Sequence, residues 1–343
     1  MKYVLNPTPV RTANNFGIND ITIDFSIPKA SLFTKMSVED NKDLEIEINE
    51  ESKDIKNRIG LDIKSNKNIY IKVPEGKIIK DTIRLLFKLE SNSLIDNVFV
   101  DVGKNSKVKL LFAYEGTGFH FLKQEVFVHE YANAHITISN MLDSKSMSFI
   151  AIENKLEDNS KLKHSLVEFG GKNRISNYHT IQSGFCTENN VDTIYLGGKD
   201  EVIDINYLIE QFGKKSKCNV RVQGALNDNA KKHFKGFIDF KEGCTKSIGK
   251  ENENCTLLSD KAVSRSLPVL LCHEEDVEGA HGVSTGKIDE KKLFYIMTKG
   301  IPYEAAKKLI VKANFSSIIK GIPNDNCQSL IMKRVDEIWQ IMK

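Results

Sequence analysis

The sequence predicts a mainly β chain, a parallel β-helix or solenoid that ends in a helical domain. Three observations carry this. A short unit recurs, made of a polar turn with a small residue followed by an alternating strand: NSKVKL at 105, NAHITI at 133, NSKLKH at 159, KSKCNV at 215 and NAKKHF at 229. No amphipathic helix separates these strands, so βαβ crossovers are absent. After Gly286 the apolar spacing changes from the period of a strand to that of a helix.

Residues 1–67 form an N-terminal region with no firm element. MKYVLNPTPVRTANNFG lacks the apolar stretch of a signal peptide. Met36 to Gly60 is dense in Glu, Asp, Lys and Asn, mostly a solvated face. Within it LEIEINEE alternates apolar with acidic residues and reads as a half-exposed strand.

Residues 68–287 form the repetitive core. NIYIKVPEG alternates and stops at Pro74 and Gly76, a strand with its turn. NVFVDVGKNSKVKLLFAYEG adds two alternating runs around Gly103, and similar runs continue through FKGFIDFKEG. An antiparallel sandwich would also give many short strands at this spacing. The turns, however, are rich in Asn, Gly and Lys and lack tight two-residue hairpin signals. A solenoid stacks such units, each burying its apolar side against the next coil.

Residues 288–343 form the helical domain. Asp289 suits an N-cap, and Leu293, Phe294, Ile296 and Met297 follow at helical spacing. Gly300 stops that helix, and Pro302 suits the first position of the next, whose apolar stripe is Ala306, Leu309 and Ile310. A third helix from about Asn326 shows Leu330, Ile331, Val335, Ile338, Trp339 and Met342. Three short helices bury little alone and must pack on the β-part, on each other or on a partner.

Composition excludes several classes. Across 343 residues the net charge is only +3, since 46 acids offset 49 Lys and Arg, so neither nucleic acid nor an anionic membrane is an expected partner. No apolar run approaches membrane-spanning length, and a cytoplasmic protein is expected. The six cysteines (Cys186, Cys218, Cys244, Cys255, Cys272 and Cys327) form no C-x-x-C pair, which argues for free thiols and against structural zinc.

Catalytic motifs are weak. GVSTGK at 282 fails the P-loop spacing, and Ile288 stands where Ser or Thr would bind magnesium. There is no G-x-S-x-G. Cys272 and His273 are neighbours, but adjacent strand residues face opposite ways and do not form a nucleophile–base pair. Glu274, Glu275 and Asp276 read as solvated loop. A non-enzymatic protein is expected. A β-helix carbohydrate-binding protein or enzyme is the alternative from another class. His281 stands out because Gly279 and Gly282 expose backbone around it, where sheet gives way to helix.

PVLLCHEEDVEGAHGVSTGKIDEKKLFYIMTKGIPYEAAKKLI, from Pro268, resembles the C-terminal signature of the SufB/SufD family of iron–sulfur cluster assembly proteins. Its Asp276, Val277, His281, Gly286, Lys287, Asp289, Glu290, Leu293, Phe294, Tyr295, Gly300 and Ile301 carry the likeness. FKGFIDF at 234 and TLLSDKA at 256 resemble two further family stretches, and VRTANNFGIND resembles the opening of some members. The resemblance implies a right-handed parallel β-helix capped by C-terminal helices. It implies docking of the ABC-type ATPase SufC on those helices through Leu293, Phe294, Tyr295 and Ile301. It also implies pairing through the β-helix with a SufB-type subunit or a second copy of the chain. A transient iron–sulfur cluster would form at that interface, none being bound stably.

By the same resemblance His281 is an interface metal ligand or hydrogen-bonder. SufB-type members carry Glu where Gly282 stands, so the chain is SufD-like there. SufD-type members often carry Cys where Gly279 stands, and Glu278 or Cys272 are the candidate substitutes. Cys255 falls close to a functional Cys of SufB-type members. Asn206 and Gln211 replace histidines of the family's IDINYLIEQ-like strand. These departures leave open a purely structural adaptor that does not touch iron.

Overall fold

The computed structural model describes every residue except 13, 30–32, 34, 40 and 342–343, together with the backbone but not the side chain of residue 341. The expected Met342 therefore lies outside the described residues. The N-terminal part contains β1 (Lys2–Leu5), β2 (Ile21–Asp24), β3 (Met36–Val38), β4 (Glu45–Asn49), β5 (Asp54–Ile55) and β6 (Ile63–Lys64). The solenoid begins with β7 (Lys67–Val73) and the long strands β8 (Ile78–Val102) and β9 (Lys107–Val128). It continues through β10 (Asn133–Leu142), β11 (Met147–Leu156), β12 (Lys161–Glu168), β13 (Asn173–Gln182) and β14 (Glu188–Gly197). Its last coils are β15 (Val202–Gln211), β16 (Lys217–Leu226), β17 (Lys231–Phe240), β18 (Ser247–Leu257), β19 (Val263–Cys272) and β20 (Val277–Lys287). Three helices close the chain: α1 (Glu290–Thr298), α2 (Tyr303–Ile319) and α3 (Asp325–Ile341).

From β7 to β20 the core strands pair in parallel, forming a solenoid of about eight turns. One face runs β11-β13-β15-β17-β19 and the other β10-β12-β14-β16-β18-β20, with β9 shared by both. The sandwich alternative is thereby excluded for the core. Every coil repeats the same corner. Asn105, Asn159, Cys186, Lys215 and Lys246 all adopt left-handed backbone, with φ between 54° and 60°. Their amides donate to the next coil's turn, as Asn159 N does to Phe185 O at 2.7 Å and Lys215 N to Thr245 O at 2.9 Å. A small residue follows because it packs inside the corner: Ser160 Oγ and Ser216 Oγ donate back to Glu157 O and Gly213 O. The NAHITI reading at 133 was slipped, since the left-handed residue of that corner is Tyr131 and the small one Ala132.

The interior of the solenoid is a continuous apolar column of Val, Ile, Leu and Phe from both faces. Its outer faces are also covered. Residues 1–67, without firm structure from sequence alone, include the antiparallel pair β1–β2, and Leu5, Ile21, Ile23 and Phe25 pack on Phe119, Phe121, Phe149 and Ile175. Asn6, at φ 55°, is pressed onto that face, its Nδ2 donating to Asp204 Oδ1 at 2.6 Å while Lys235 Nζ donates to its carbonyl at 2.8 Å. LEIEINEE does contain a strand, β4, which pairs antiparallel with β7 and covers the first end of the solenoid.

The helices lie on the opposite flank and share their core with the sheet. Val311, Phe315, Ile318, Ile331, Val335 and Trp339 pack on Leu111, Val167, Phe169, Ile194 and Leu196. The expected stripe of α2 is corrected here. Ala306 is buried, but Leu309 is exposed, and the true stripe continues through Val311, Phe315 and Ile318, because that side meets the sheet. Leu330 of α3 is likewise exposed. Pro302 sits just before the first residue of α2 rather than in it and makes no capping hydrogen bond, whereas Asp289 caps α1, its side chain accepting from Lys291 N and Lys292 N. No helix among the described residues is long and apolar enough to cross a membrane.

Phe315 is fully buried and its ring lies 5.7 Å from that of Phe169. Phe315→Ala should cost about 3–5 kcal/mol of stability. Denaturant unfolding followed by hydrogen exchange should show α2 and α3 losing protection first, and unchanged protection would contradict the shared core.

Candidate functional site

The two ends of the solenoid differ. The first is covered by β4, whose exposed Glu45 and Glu47 discourage further pairing. At the other end, among the described residues, β19 pairs only with β17 and β20 only with β18, so both strands present an open edge. Strand backbone groups alternate sides. Val263 N and His273 N donate to β17, so the even-numbered residues of β19 face outward, and Pro268 is one of them. Proline, lacking an N–H, is tolerated on an edge but blocks pairing there. On β18, Ile248 N and Leu258 N donate toward β16, which leaves the odd-numbered residues for β20. The odd-numbered residues of β20, His281 and Val283 among them, therefore turn their backbone N–H and C=O to open solvent. This edge is eleven residues long and carries no proline.

Side-chain direction follows the same alternation. Ser247, Gly249, Glu251, Glu253 and Cys255 of β18 are buried, while Lys250, Asn252 and Asn254 are exposed. Stacked on them in register are Val277, Gly279, His281, Val283 and Thr285. A Cβ on Gly279 would touch Phe240 and Leu270 of the core, and one on Gly282 would touch Asn252 on the outside. His281 thus sits on the interior column, directly above Glu251, and is exposed only because no further coil covers it. Glycine at 279 allows β19 and β20 to approach at this mouth.

The interior turns polar beneath it. Glu253 is fully buried and accepts from Lys232 Nζ, from Tyr195 OH at 3.0 Å and from Ser266 Oγ at 2.5 Å. Glu251 is 3% exposed, lies against Gly236 and has one carboxyl oxygen without a partner. Burial, and then the charge of Glu253, push its carboxyl up to about 8.

The other expected site residues do not converge on His281. Glu278 is exposed on the opposite face of β20. Cys255 is buried on the interior column, level with Thr285 and four residues along from Glu251, roughly 13 Å at strand rise. Burial raises its thiol pKa. Cys272 is exposed at the far end of β19, in register with Phe240. Among the described residues no group of three or more His, Cys, Asp or Glu stands close enough to hold a metal ion. Asn206 is taken up with the N-terminal strap, donating to Pro7 O at 2.8 Å, and Gln211 Nε2 donates to Gln182 Oε1 at 3.2 Å inside the corner. Glu251 escaped the sequence reading, because the signal for it is the alternation of KENENC, which resembles a solvated strand until a further coil is stacked on it.

On the helices, Phe294 and Tyr295 of α1 are 69% and 63% exposed, and Tyr303 and Leu309 of α2 are also exposed. Ile301 is half-buried. Leu293 is buried against its own chain and is the anchor of α1 rather than part of its free face.

Fold and site define a β-solenoid with covered flanks, one closed end and one open end that carries a histidine at its mouth. The model of the SufBD core domain of the SUF iron–sulfur cluster assembly system matches residues 86–314, and the chain belongs to that family. It is 23% identical over 279 residues to the iron–sulfur cluster assembly protein SufD of Bacillus subtilis, covering 79% of this chain and 64% of that protein. An iron–sulfur cluster assembly SufBD family protein of Pyrococcus horikoshii is 27% identical over 268 residues, 75% of this chain and 59% of that one. SufD of Escherichia coli is 24% identical over 223 residues, 64% of this chain and 52% of that one. The chain thus spans somewhat over half the length of these relatives.

Folding protonates Glu251 between its ordinary range near 4.5 and about 8. A carboxyl raised in the folded state makes stability fall as pH rises through that window. Glu251→Gln should remove the fall and, at pH 8, exceed the wild type by about 1–3 kcal/mol. Urea melts at pH 5 and pH 8 check this, and identical slopes for both proteins would refute it.

Proposed function

We propose that the chain is a non-enzymatic scaffold subunit of the SUF machine, working in the cytoplasm. It pairs through β20 with a SufB/SufD-type subunit or a second copy of itself, and it docks the ABC-type ATPase SufC on its helices. The observation that carries this is the bare β20 edge with His281 on its interior column. An uncovered parallel edge of this length is a template for strand addition. Iron or a nascent cluster, as cargo, would be held where two such ends meet. His281 is this chain's donor, with the Glu251 carboxyl in register beneath it, and the remaining ligands come from the partner, since Glu278, Cys255 and Cys272 stand on another face or level. Membership of the SufBD family supports the reading.

The exposed aromatic face of α1 supports the ATPase contact, because large apolar side chains on a short amphipathic helix favour burial by a partner. Nucleotide-driven movement of that partner would act on α2 and α3, which are fastened directly to the solenoid flank. The physical requirement is an interface with two arrangements, biased by the nucleotide.

Val283→Pro removes an N–H that faces away from β18 and outside its ladder. It should abolish pairing in native mass spectrometry while far-UV circular dichroism stays unchanged, and persistent pairing sinks the strand-addition claim. His281→Ala should keep pairing yet lose cluster loading on anaerobic reconstitution with iron and sulfide. Normal loading would make the chain a structural adaptor.

Phe294→Ala with Tyr295→Ala should weaken SufC binding by about tenfold or more. Isothermal titration with purified SufC gives the answer, and an unchanged affinity would move the docking site elsewhere.

A further inference from the structure

A cavity of about 480 Å³ lies at the seam between α3 and the turns of the solenoid, on the flank away from the N-terminal strands. Its volume falls in the range of small-molecule sites. The apolar part of its wall is Leu142, Phe169, Leu196 and Ile338. The first three are buried parts of the folded core, so this wall is preformed. Glycine at 170 lets the strand ends approach, since a Cβ there would collide with the backbone of Leu142.

The charges around this wall are unbalanced. The cavity is lined by Lys145, Lys199 and Arg334, and by the acids Asp143 and Glu201. Both acids are already engaged. Asp143 accepts from Thr117 Oγ1 at 2.6 Å and from Arg334 at 3.3 Å. Glu201 Oε2 accepts from the buried Arg174 at 2.8 Å and from Gly198 N at 3.1 Å. Arg334 is held by Asp143, by Glu337 at 3.1 Å and by Leu142 O at 2.9 Å, so the surplus rests with Lys145 and Lys199, which take part in no ion pair among the described residues. An apolar floor with surplus cationic donors at its rim is chemistry suited to an amphiphilic anion.

We propose that this seam is a binding site for a small organic anion, a carboxylate or phosphate monoester carrying an apolar group. The apolar group enters against Ile338, above the closed core of Phe169 and Leu196, and the anion meets Lys145 and Lys199 beside Arg334. Lys145 and Lys199 come from two solenoid turns and Arg334 from α3, so a bound anion fastens the last helix to the coil. That is a means of regulating how the helices transmit force, and it is independent of the pairing edge at the far end.

The test is isothermal titration of the full chain with phenyl phosphate, with hexanoate and with inorganic phosphate. Saturable binding of phenyl phosphate or hexanoate is expected, weakened about tenfold or more in the Lys145→Ala/Lys199→Ala double variant, with slower hydrogen exchange in α3 when the ligand is bound. Whichever of the two binds more tightly identifies the head group. Binding of inorganic phosphate with equal affinity would overturn the apolar half of the proposal. Absence of binding by both organic anions, or equal affinity in the double variant, would overturn all of it. Pairing and SufC docking should be unaffected by the double variant, so these outcomes stand apart from those at β20 and α1.

Discussion

Each coil of this protein owes its backbone hydrogen bonds to the coils on either side. A parallel strand cannot satisfy its N–H and C=O groups within itself. The repeating corners reinforce the dependence, since each left-handed turn residue donates across to the next turn. A stack built this way must end twice, and the two ends are treated differently. β4 runs antiparallel against the first coil and carries acidic residues outward. β20 ends the stack, and among the described residues no strand pairs with its outward edge. Whatever completes the molecule has to satisfy that edge or leave it hydrated.

The same stacking explains why the interior changes character toward β20. Most of the column is aliphatic and aromatic, as burial on all sides requires. Over the last coils Lys232, Glu253, Tyr195 and Ser266 replace it with a compact hydrogen-bonded group. Within that group each charge has a partner, which offsets much of its desolvation. Glu251 is the exception, and it lies directly under His281. A buried carboxyl with an orphan oxygen is costly to keep charged, and Glu251 shares that feature with Glu168 deeper in the solenoid. Buried polar groups also occur lower in the stack, around Asp96 with His120 and around His164 with Gln124, but Glu251 is the one that lies under the open mouth.

The flanks show a division of labour. The N-terminal strands bury the aromatic outer face of β9 and β11, and Asn6 reaches into a polar group around Asp204 and Lys235. The helices bury the opposite face through α2 and α3, leaving α1 free. The N-terminal region reaches the last coil only at its side, where Arg265 of β19 donates to Phe16 O at 3.1 Å. The seam cavity lies along the helical flank, away from that last coil.

The sequence by itself determined the solenoid, because a corner of polar and small residues followed by a short alternating strand recurs wherever a coil must turn. It determined the three helices through Asp289, Gly300 and Pro302, since caps and breakers act locally. It also singled out His281, whose glycine neighbours and position between sheet and helix are visible in the chain. Only tertiary structure decided that Leu309 and Leu330 face solvent, because a helix stripe is chosen by the surface it meets. Only tertiary structure separated Glu278, Cys255 and Cys272 from His281, because faces and levels in a solenoid depend on register between strands about thirty residues apart. The covering role of residues 1–67 was hidden for the same reason: their partners, from Phe119 to Lys235, are brought near only when the coils stack.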